Sequence, residues 1–280
     1  MPLKLALSPL VLLLAPTAFA GVIFTDSFSG SGAPGAAWVS DEEINATVNV
    51  SGGSLNVNAG TVTGLSTVRH TLELTGTGAP TLTLGSSWTV EAVTSIADGS
   101  AFSTMAGGEG VQVTLGVRNN LPATDDRAQV NFVNLNFGAG PQHAVRGAHR
   151  TGGSETENIT IIGDATASLT ATIRMAYDAS LDQITMGLDT GSGFFSLVSP
   201  VDTSAWSMTD SDPLLIQFEL GLAKFSGDPA SSTFSIEDGE LTVDEFNVYD
   251  EALSTNTVVP EPSVALLSLV ALGFAFRRRR

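Results

Sequence analysis

Short runs rich in Val, Thr, Ile, Leu and Phe recur along the chain, and they limit its fold more than any other feature of the sequence. Gly, Asn, Asp or Pro separates one run from the next, and the 3.6-residue periodicity of an amphipathic helix is almost absent. Asn45–Val50 and 55–58 alternate around a Gly52-Gly53 turn, which predicts a β-hairpin. We therefore expect an all-β fold, an antiparallel two-sheet β-sandwich of about a dozen strands.

The other runs extend this pattern over the whole body of the chain, and no internal repeat suggests a propeller or a solenoid. The Gly-rich segment 138–155 is interpreted as a long loop or an irregular edge, and 203–208 as the only helical turn. Further strands are predicted at 21–28, 65–74, 87–96, 110–118, 128–137, 156–163, 167–177, 181–189, 193–198, 213–223, 232–237 and 240–250.

The composition limits the classes of partner. The formal net charge is −17, and it becomes more negative without Lys4 and the four arginines at 277–280. An acidic surface disfavours nucleic acid and anionic lipid, because cationic patches supply the attraction in those complexes. Cysteine is absent, which excludes disulfides, thiol catalysis and cysteine-ligated metals. The hydrophobic core must therefore hold the fold together.

The first twenty residues have the pattern of a cleavable secretory signal peptide. Lys4 precedes an apolar stretch at Leu10–Leu14, and Ala18-Phe19-Ala20 forms a small-x-small cleavage site. The pattern predicts handling by the secretion machinery and a mature chain that begins at Gly21. A retained N-terminal anchor is the alternative, and the shortness of the apolar stretch disfavours it.

A second apolar segment lies near the other end of the chain. Val264–Phe276 carries no charge and is followed by Arg277, Arg278, Arg279 and Arg280. Thirteen helical residues span about 20 Å, against a hydrocarbon core of about 30 Å, so the segment predicts a short hydrophobic helix that anchors marginally. Cationic flanks stay on the cytoplasmic side, which places the body outside the cytoplasmic membrane. A passive membrane anchor is the simplest interpretation.

A Pro-Glu-Pro triplet adds to this pattern. Pro260, Glu261 and Pro262, the apolar segment and the terminal Arg cluster together resemble the PEP-CTERM sorting signal of bacterial envelope proteins. The resemblance implies processing by an exosortase-type enzyme and delivery to the cell surface or to an extracellular polysaccharide matrix. We expect a signal peptide at 1–20, a β-sandwich domain at 21–250, a linker at 251–259 and a sorting and anchor segment at 260–280.

Three stretches of the body resemble the concanavalin A-like (laminin-G-like) jelly roll. They are FTDSFSGSGAPGAAWVS with the following VSGGSLNVNAG, then ATIRMAYDASLDQITMGLDTGSGFFSL, and finally LTVDEFNVYDE. The resemblance implies a jelly-roll sandwich. Glycanases on this fold carry a Glu-x-Asp-x-(x)-Glu motif along one strand, where alternation places the carboxylates on one face.

The sequence lacks that catalytic motif. Its nearest equivalent, Glu237-Asp238-Gly239-Glu240, has its first two acids on opposite faces and contains an Asp-Gly turn, so a solvated hairpin tip is expected. His143 and His149 share a face if their segment is extended, with Arg146 and Arg150 nearby, as a lyase-like site would need. Ordinary surface positions are the competing interpretation of this group.

Other candidate ligand sites are weaker. Calcium is the most plausible ion, because Asp, Asn and backbone oxygens suit it, and the candidate ligands are Asp125 with Asp126 and Asp210 with Asp212. Neither pair has the spacing of a calcium loop, so solvated turns compete with this interpretation. Trp206, in a loop-like segment, is the candidate for stacking on a sugar ring.

These observations favour an exported envelope or matrix protein whose β-sandwich binds a glycan or a partner protein without catalysis. We therefore expect that the chain is not an enzyme. The alternatives are a secreted glycan-active enzyme, a hydrolase or lyase on the same fold, and a structural spacer that binds no ligand.

The sorting signal is testable by replacing Pro260, Glu261 and Pro262 with alanines. Since each proline keeps the preceding residue extended for recognition, the variant is expected to remain in the membrane fraction at full length. Immunoblots of membrane and surface fractions measure this. Unchanged release to the surface would contradict the sorting role.

Overall fold

In the computed structural model, the chain folds into two antiparallel β-sheets that pack face to face. The structure describes residues 21–63, 68–105, 107–119, 125–136, 138, 140–224 and 233–253. This part of the chain contains strands and no helix, which confirms the expected all-β sandwich. The strands are β1 (Val22–Asp26), β2 (Trp38–Ile44), β3 (Thr47–Ser51), β4 (Ser54–Thr63), β5 (Arg69–Leu74), β6 (Trp88–Ile96), β7 (Glu109–Asn119), β8 (Arg127–Asn136), β9 (Pro141–Thr151), β10 (Ser154–Asp164), β11 (Leu169–Asp178), β12 (Gln183–Asp189), β13 (Phe195–Ser196), β14 (Val201–Asp202), β15 (Leu214–Lys224), β16 (Thr233–Ile236) and β17 (Leu241–Tyr249).

One sheet has seven strands and the other has ten. The seven-stranded sheet has the order β10-β9-β8-β7-β15-β5-β2. The ten-stranded sheet follows β13-β12-β11-β6-β17-β4-β16, with β1 beside β17, β14 beside β12 and β3 beside β4. Consecutive strands often lie in different sheets, as in a jelly roll. In each sheet, the inner face packs against the other sheet and the outer face points away from it.

Strand β7 shows how alternation builds the core between the sheets. Val111, Val113, Leu115 and Val117 are fully buried within the main hydrophobic cluster. Because successive side chains of a strand point to opposite faces, the residues between them lie on the outer face. Burial of each such apolar side chain contributes roughly 1.5–3 kcal/mol. The chain thus forms its core without the help of disulfides.

An aromatic cluster joins the two sheets near one end. The ring of Trp38 on β2 lies 5.2 Å from the rings of Phe218 on β15 and of Phe246 on β17. Edge-to-face and tilted contacts at this distance are favourable for aromatic rings. The Trp38 Nε1–H group donates a hydrogen bond of 2.9 Å to Asp26 Oδ2, so the polar atom of the indole is also satisfied.

Two sequence predictions about individual elements have clear outcomes. The predicted hairpin is confirmed: β3 and β4 are joined at Gly52 and Gly53, whose φ values of 63° and 84° suit glycine. The segment 138–155, predicted as a long loop or an irregular edge, is neither over most of its length, because β9 occupies it and pairs with both β8 and β10. Strand β9 contains Gly147 because neighbouring side chains leave little room for a larger residue: a Cβ atom there would lie 3.0 Å from Leu197 and Val198.

Several predictions fall outside the described residues. The signal peptide at 1–20, residues 254–259 of the linker and the sorting segment at 260–280 all lie there. Among the residues that the structure does describe, no helix is long and apolar enough to cross a membrane. The predicted helical turn at 203–208 consists of a hydrogen-bonded turn, in which the Trp206 amide donates to the Thr203 carbonyl oxygen at 2.9 Å.

A buried ion pair links neighbouring strands on the outer face of the ten-stranded sheet. Arg174 on β11 is 2% exposed, and its Nε–H donates to Glu91 on β6 at 2.5 Å. The Tyr249 hydroxyl on β17 donates to the other oxygen of Glu91 at 2.9 Å, and the Phe194 ring lies 3.7 Å from the guanidinium carbon. Three neighbouring strands are therefore linked through one carboxylate.

Removing the cation from this pair should be costly. The substitution Arg174→Met leaves the Glu91 carboxylate buried without its countercharge, so we expect a loss of about 3–5 kcal/mol in the free energy of unfolding. Urea denaturation measures it. The matched control is Arg127→Met, which removes a half-exposed arginine and should cost about 0–1 kcal/mol. Equal losses in the two variants would contradict the assigned role.

Candidate active site

The outer face of the seven-stranded sheet carries polar side chains that are unusually well buried. Gln112 and Thr114 on β7 are 6% and 2% exposed, and Asn131 on β8 is 2% exposed. Cross-strand pairing places Thr114 beside Asn131 on one side and beside Glu219 of β15 on the other. Buried polar groups are costly unless they are hydrogen-bonded, so their mutual contacts decide whether this arrangement is stable.

Hydrogen bonds and ion pairs connect these groups into one polar row across five strands. The Asn131 amide donates to Thr114 Oγ1 at 2.7 Å and to Gln112 Oε1 at 3.0 Å. The Gln112 amide then donates to Glu219 Oε1 at 3.1 Å. We call these side chains, together with Arg69 on β5 and Glu42 on β2, the polar row. In order across the sheet its members are Asn131, Thr114, Gln112, Glu219, Arg69 and Glu42.

The far end of the polar row is an ion-pair network. Arg69 Nη1 on β5 lies 3.6 Å from Glu219 Oε2, and Arg69 Nη2 lies 2.5 Å from Glu42 Oε2 on β2. The guanidinium is therefore shared between two carboxylates. Because it lies closer to Glu42, its attraction to Glu219 is the weaker of the two.

Glu219 is the titratable group at the centre of the polar row. Its pKa is raised above the ordinary value of 4.5, mainly because burial penalises the charged form. The nearby Arg69 cation and the Gln112 hydrogen bond act in the opposite direction, and they only partly offset the burial. The side chain remains 26% exposed, so the carboxyl group can meet a ligand on this face.

A second carboxylate lies diagonally across from Glu219. On the two neighbouring strands, Glu219 pairs with Thr71, and Gln217 pairs with Glu73. Residues in such a diagonal relation have Cα atoms about 7–8 Å apart and share the same face. Arg118 Nη2 lies 2.6 Å from Glu73 Oε1. Two carboxyl groups with different partners therefore lie side by side on the outer face.

The remaining arginines of this face are also paired with acids. Arg146 Nη2 lies 2.6 Å from Glu155 and Arg150 Nη1 lies 2.7 Å from Asp125. Arg127 is 3.5 Å from each of the same two acids. Because each of these arginines is paired with an acid, they form no unpaired cationic patch on the outer face. This face therefore suits a neutral ligand better than a polyanion.

The predicted calcium ligands Asp125 and Asp126 make contacts with protein groups. Asp126 is fully buried and accepts hydrogen bonds from the Gly152 and Ser207 amides and from the Asn119 side chain, at 2.8–3.1 Å. The carboxylate thereby connects the end of β7 to the turn between β9 and β10 and to the loop that contains Ser207. Asp125 forms the arginine contacts described above.

The other sequence candidates lie in the segment between β14 and β15. The Asp212 carboxylate accepts from the Thr209 amide at 2.6 Å, within the same turn as Asp210. Trp206 is 4% exposed and packs within the main core cluster, so its ring is not presented for stacking. Among the described residues, no group of three or more His, Asp or Glu side chains could hold a metal ion.

The sheet separates the histidine and arginine candidates of β9. Alternation places Arg146 and Arg150 on the outer face, and His143 and His149 on the inner face. The His143 ring packs against Phe132, with 6.1 Å between centroids, and burial lowers the pKa of His149. The expected common face of the two histidines is therefore present, but the arginines do not join it.

Glu219 and Glu73 were not found from the sequence because they belong to different strands. The single-strand carboxylate motif was sought along one run, whereas these acids lie on β15 and β5. A weaker signal exists in LLIQFELGLAK at 214–224, where Gln217 and Glu219 interrupt an apolar run at alternate positions. Alternation identifies their common face, but it does not identify the neighbouring strand.

Solved structures with a similar fold include glucanases and a lectin. The endo-β-1,3-glucanase from Pyrococcus furiosus has 14% identity and a TM-score of 0.56, over 84% of this chain and 95% of that one. The endo-1,3-β-glucanase from Streptomyces sioyaensis has 14% identity and a TM-score of 0.56, over 85% and 99%. The winged bean acidic lectin, complexed with methyl-α-D-galactose, has 10% identity and a TM-score of 0.53, over 82% and 99%. No protein family model and no curated protein matches the sequence.

These similarities correct the expectations about activity. The non-catalytic binding domain, and with it the expectation that the chain is not an enzyme, was inferred from a missing single-strand motif. The sandwich is instead similar in fold to several glucan hydrolases, so the missing motif gives no ground for that expectation. The physical reason is that side chains on neighbouring strands can share a face, so two carboxyl groups can meet without a motif on a single strand.

The raised pKa of Glu219 predicts a pH-dependent difference in stability. A raised pKa means that the folded state favours the protonated carboxyl group. The free energy of unfolding of the wild type therefore falls as pH rises from the pKa of Glu219 in the unfolded chain through its pKa in the folded chain. The variant Glu219→Gln lacks this loss. Its free energy of unfolding should therefore increase relative to wild type over that range and then level off, as measured by urea denaturation from about pH 4 upward.

The same titration on Glu157→Gln controls for the removal of one negative charge from this face. A difference between E219Q and wild type that falls with rising pH would contradict the assigned burial of Glu219.

Proposed function

We propose that the protein is a glycoside hydrolase that acts on a neutral polysaccharide at the outer face of the seven-stranded sheet. The observation that carries the proposal is the pair of carboxyl groups, Glu219 and Glu73, on neighbouring strands with different surroundings. Glycoside hydrolysis commonly requires two such groups with distinct roles. The fold similarity to glucanases supports β-1,3-glucan as the first substrate to test.

Glu219 has the properties of the general acid. Burial raises its pKa, which keeps the proton on the carboxyl group at a higher pH than usual. In the reaction, Glu219 donates this proton to the glycosidic oxygen as the bond to the anomeric carbon breaks. The Gln112 amide, itself held by Asn131, fixes the orientation of the carboxyl group through its hydrogen bond to Oε1.

Glu73 is the second carboxylate of the pair. Its ion pair with Arg118 orients the group and leaves a negative charge close to the developing positive charge of the sugar ring. Diagonal neighbours at about 7–8 Å between Cα atoms allow carboxyl separations that suit either attack on the anomeric carbon or activation of a water molecule. If Glu73 attacks the anomeric carbon, a water molecule that gives its proton to the Glu219 carboxylate then breaks the bond between the sugar and Glu73. If Glu73 instead takes a proton from a water molecule, that water attacks the anomeric carbon and hydrolysis is complete in one step.

The dimensions and charge of the face support a neutral, extended substrate. The polar row crosses five strands, which corresponds to roughly 19 Å at about 4.8 Å per strand spacing. Its partly exposed members, Glu219, Arg69 and Glu42, offer charged groups to sugar hydroxyls, and the buried amide and hydroxyl groups beneath hold them in place. The paired arginines leave little net attraction for an acidic polymer.

We also propose that the enzyme works outside the cytoplasm. The signal-peptide pattern at 1–20 and the PEP-CTERM-like tail at 260–280 support export followed by sorting. Polysaccharide of the envelope or of the extracellular matrix would then be the accessible substrate. Excess negative charge suits a soluble domain in that environment.

Release of reducing ends from soluble β-1,3-glucan tests the hydrolase proposal. Wild type should release product above the no-enzyme blank, and Glu219→Gln and Glu73→Gln should each lower kcat by about 10²–10⁴-fold. The matched control Glu157→Gln changes an acid on the same face at β10 and should keep wild-type activity. Circular dichroism confirms that each variant is folded.

Two results would contradict the proposal. One is the absence of hydrolysis by wild type across a panel of neutral polysaccharides, including any that it binds. The other is equal activity of E219Q, E73Q and wild type, which would show that the two carboxyl groups do not act in the reaction.

A further inference from the structure

The backbone of Gly21 meets the end of the last strand. The Gly21 N–H donates a hydrogen bond of 2.9 Å to Asp250 Oδ1, and the Asp250 N–H donates one of 3.1 Å to the Gly21 carbonyl oxygen. Directly after this contact, Val22 of β1 pairs with Tyr249 of β17. The start of the described chain is thus held by a carboxylate.

The Asp250 carboxylate lies close to the Gly21 Cα atom. A Cβ atom added to Gly21 would lie 3.0 Å from both carboxylate oxygens of Asp250. That distance is below ordinary van der Waals contact, so a side chain at position 21 would push the carboxylate away by a few tenths of an ångström. Gly21 also directly follows the small-x-small pattern that ends at Ala20.

We propose that Gly21 is the N-terminus of the processed chain and that its α-ammonium group forms an ion pair with Asp250. Cleavage between Ala20 and Gly21 therefore does more than release the leader, because it creates the cation that closes β1 against β17. The inference rests on the proposed export and is independent of the proposed hydrolase activity.

The chemistry of cleavage supplies the charge. Hydrolysis adds the hydroxyl of water to the Ala20 carbonyl carbon and a proton to the Gly21 nitrogen, as the peptide bond breaks. The freed amine has an ordinary pKa of about 7.7–8.0, so it binds a further proton at neutral pH. A neutral N–H donor thereby becomes an ammonium group, whose hydrogen bond to a carboxylate is charge-assisted.

Strand β1 needs such a contact because it has little apolar burial of its own. Val22 and Ile23 are 54% and 48% exposed, and β1 pairs with β17 alone among the described strands. The Phe24 ring, 6.1 Å from that of Phe246, is the main apolar contact. The ion pair at Gly21 holds the N-terminal end of β1, which the Phe24 contact does not reach.

The cleavage position is tested by expressing the full chain, leader included, in a bacterial host with general secretion. Intact-mass analysis and N-terminal sequencing of the exported protein should give Gly21 as the first residue. A different first residue, or a leader still attached to the exported chain, would overturn the proposal.

The ion pair is tested by hydrogen exchange on the processed chain. Asp250→Asn should speed exchange of the β1 amides by roughly two- to fivefold, the range expected for an exposed ion pair. Glu251→Gln removes the same charge one residue away and should leave these rates unchanged. Enzymatic or chemical acetylation of the Gly21 amine should reproduce the D250N effect. Unchanged β1 exchange in both D250N and the acetylated chain would overturn the pairing.

A glycine substitution gives a steric test of the same contact. Gly21→Ala should also speed β1 exchange, because its Cβ atom displaces the Asp250 carboxylate. Gly30→Ala is the matched control, since nothing lies within 4 Å of a Cβ atom at that position. Equal exchange in G21A and wild type would contradict the close approach of Gly21 to Asp250.

Discussion

The proposed catalysis depends on the pKa of Glu219, which burial raises and two neighbouring groups lower. Burial favours the protonated form, whereas Arg69 and the Gln112 amide favour the ionised form. Burial is the larger effect, because Arg69 lies closer to Glu42 than to Glu219. The group therefore keeps its proton at a higher pH than an exposed glutamate, yet it remains partly open to the outer face.

The rest of the fold makes this balance possible. The inner side chains of β7 and β15 build the core, so their outer side chains are held at fixed spacings on a rigid sheet. The strands that carry the polar row are each paired on both sides, except β2 at the sheet edge. The carboxyl group of Glu219 lies on β15, between β7 and β5. A reactive group on such a scaffold is better fixed than one on a loop.

The fold could be predicted from the sequence largely because alternation is a local property. The β3–β4 hairpin follows directly from two alternating runs around Gly52-Gly53. Strand β2 was missed because it contains the acidic run Asp41-Glu42-Glu43, which hides the alternation of apolar and polar residues. An edge strand such as β2 tolerates this run because its side chains are more exposed to solvent. Strand β9 was mistaken for a loop because Gly147 within it reflects close packing, and Gly152-Gly153 form the turn that follows it.

The candidate site could not be predicted in the same way, because it depends on which strands are neighbours. Glu73 and Glu219 are far apart in the chain, and only the pairing of β5 with β15 brings them together. Burial of Gln112, Thr114 and Asn131 is likewise a property of the assembled sheet. Sequence motifs report residues on one strand, and this site is divided between strands.

A crystal structure of the E219Q variant with a bound β-1,3-gluco-oligosaccharide would locate the substrate on the sandwich. We expect the sugar chain to lie along the polar row, with a glycosidic oxygen within hydrogen-bond distance of residue 219 and the adjacent anomeric carbon near Glu73. An oligosaccharide bound elsewhere on the sandwich, with residues 219 and 73 out of contact, would contradict it.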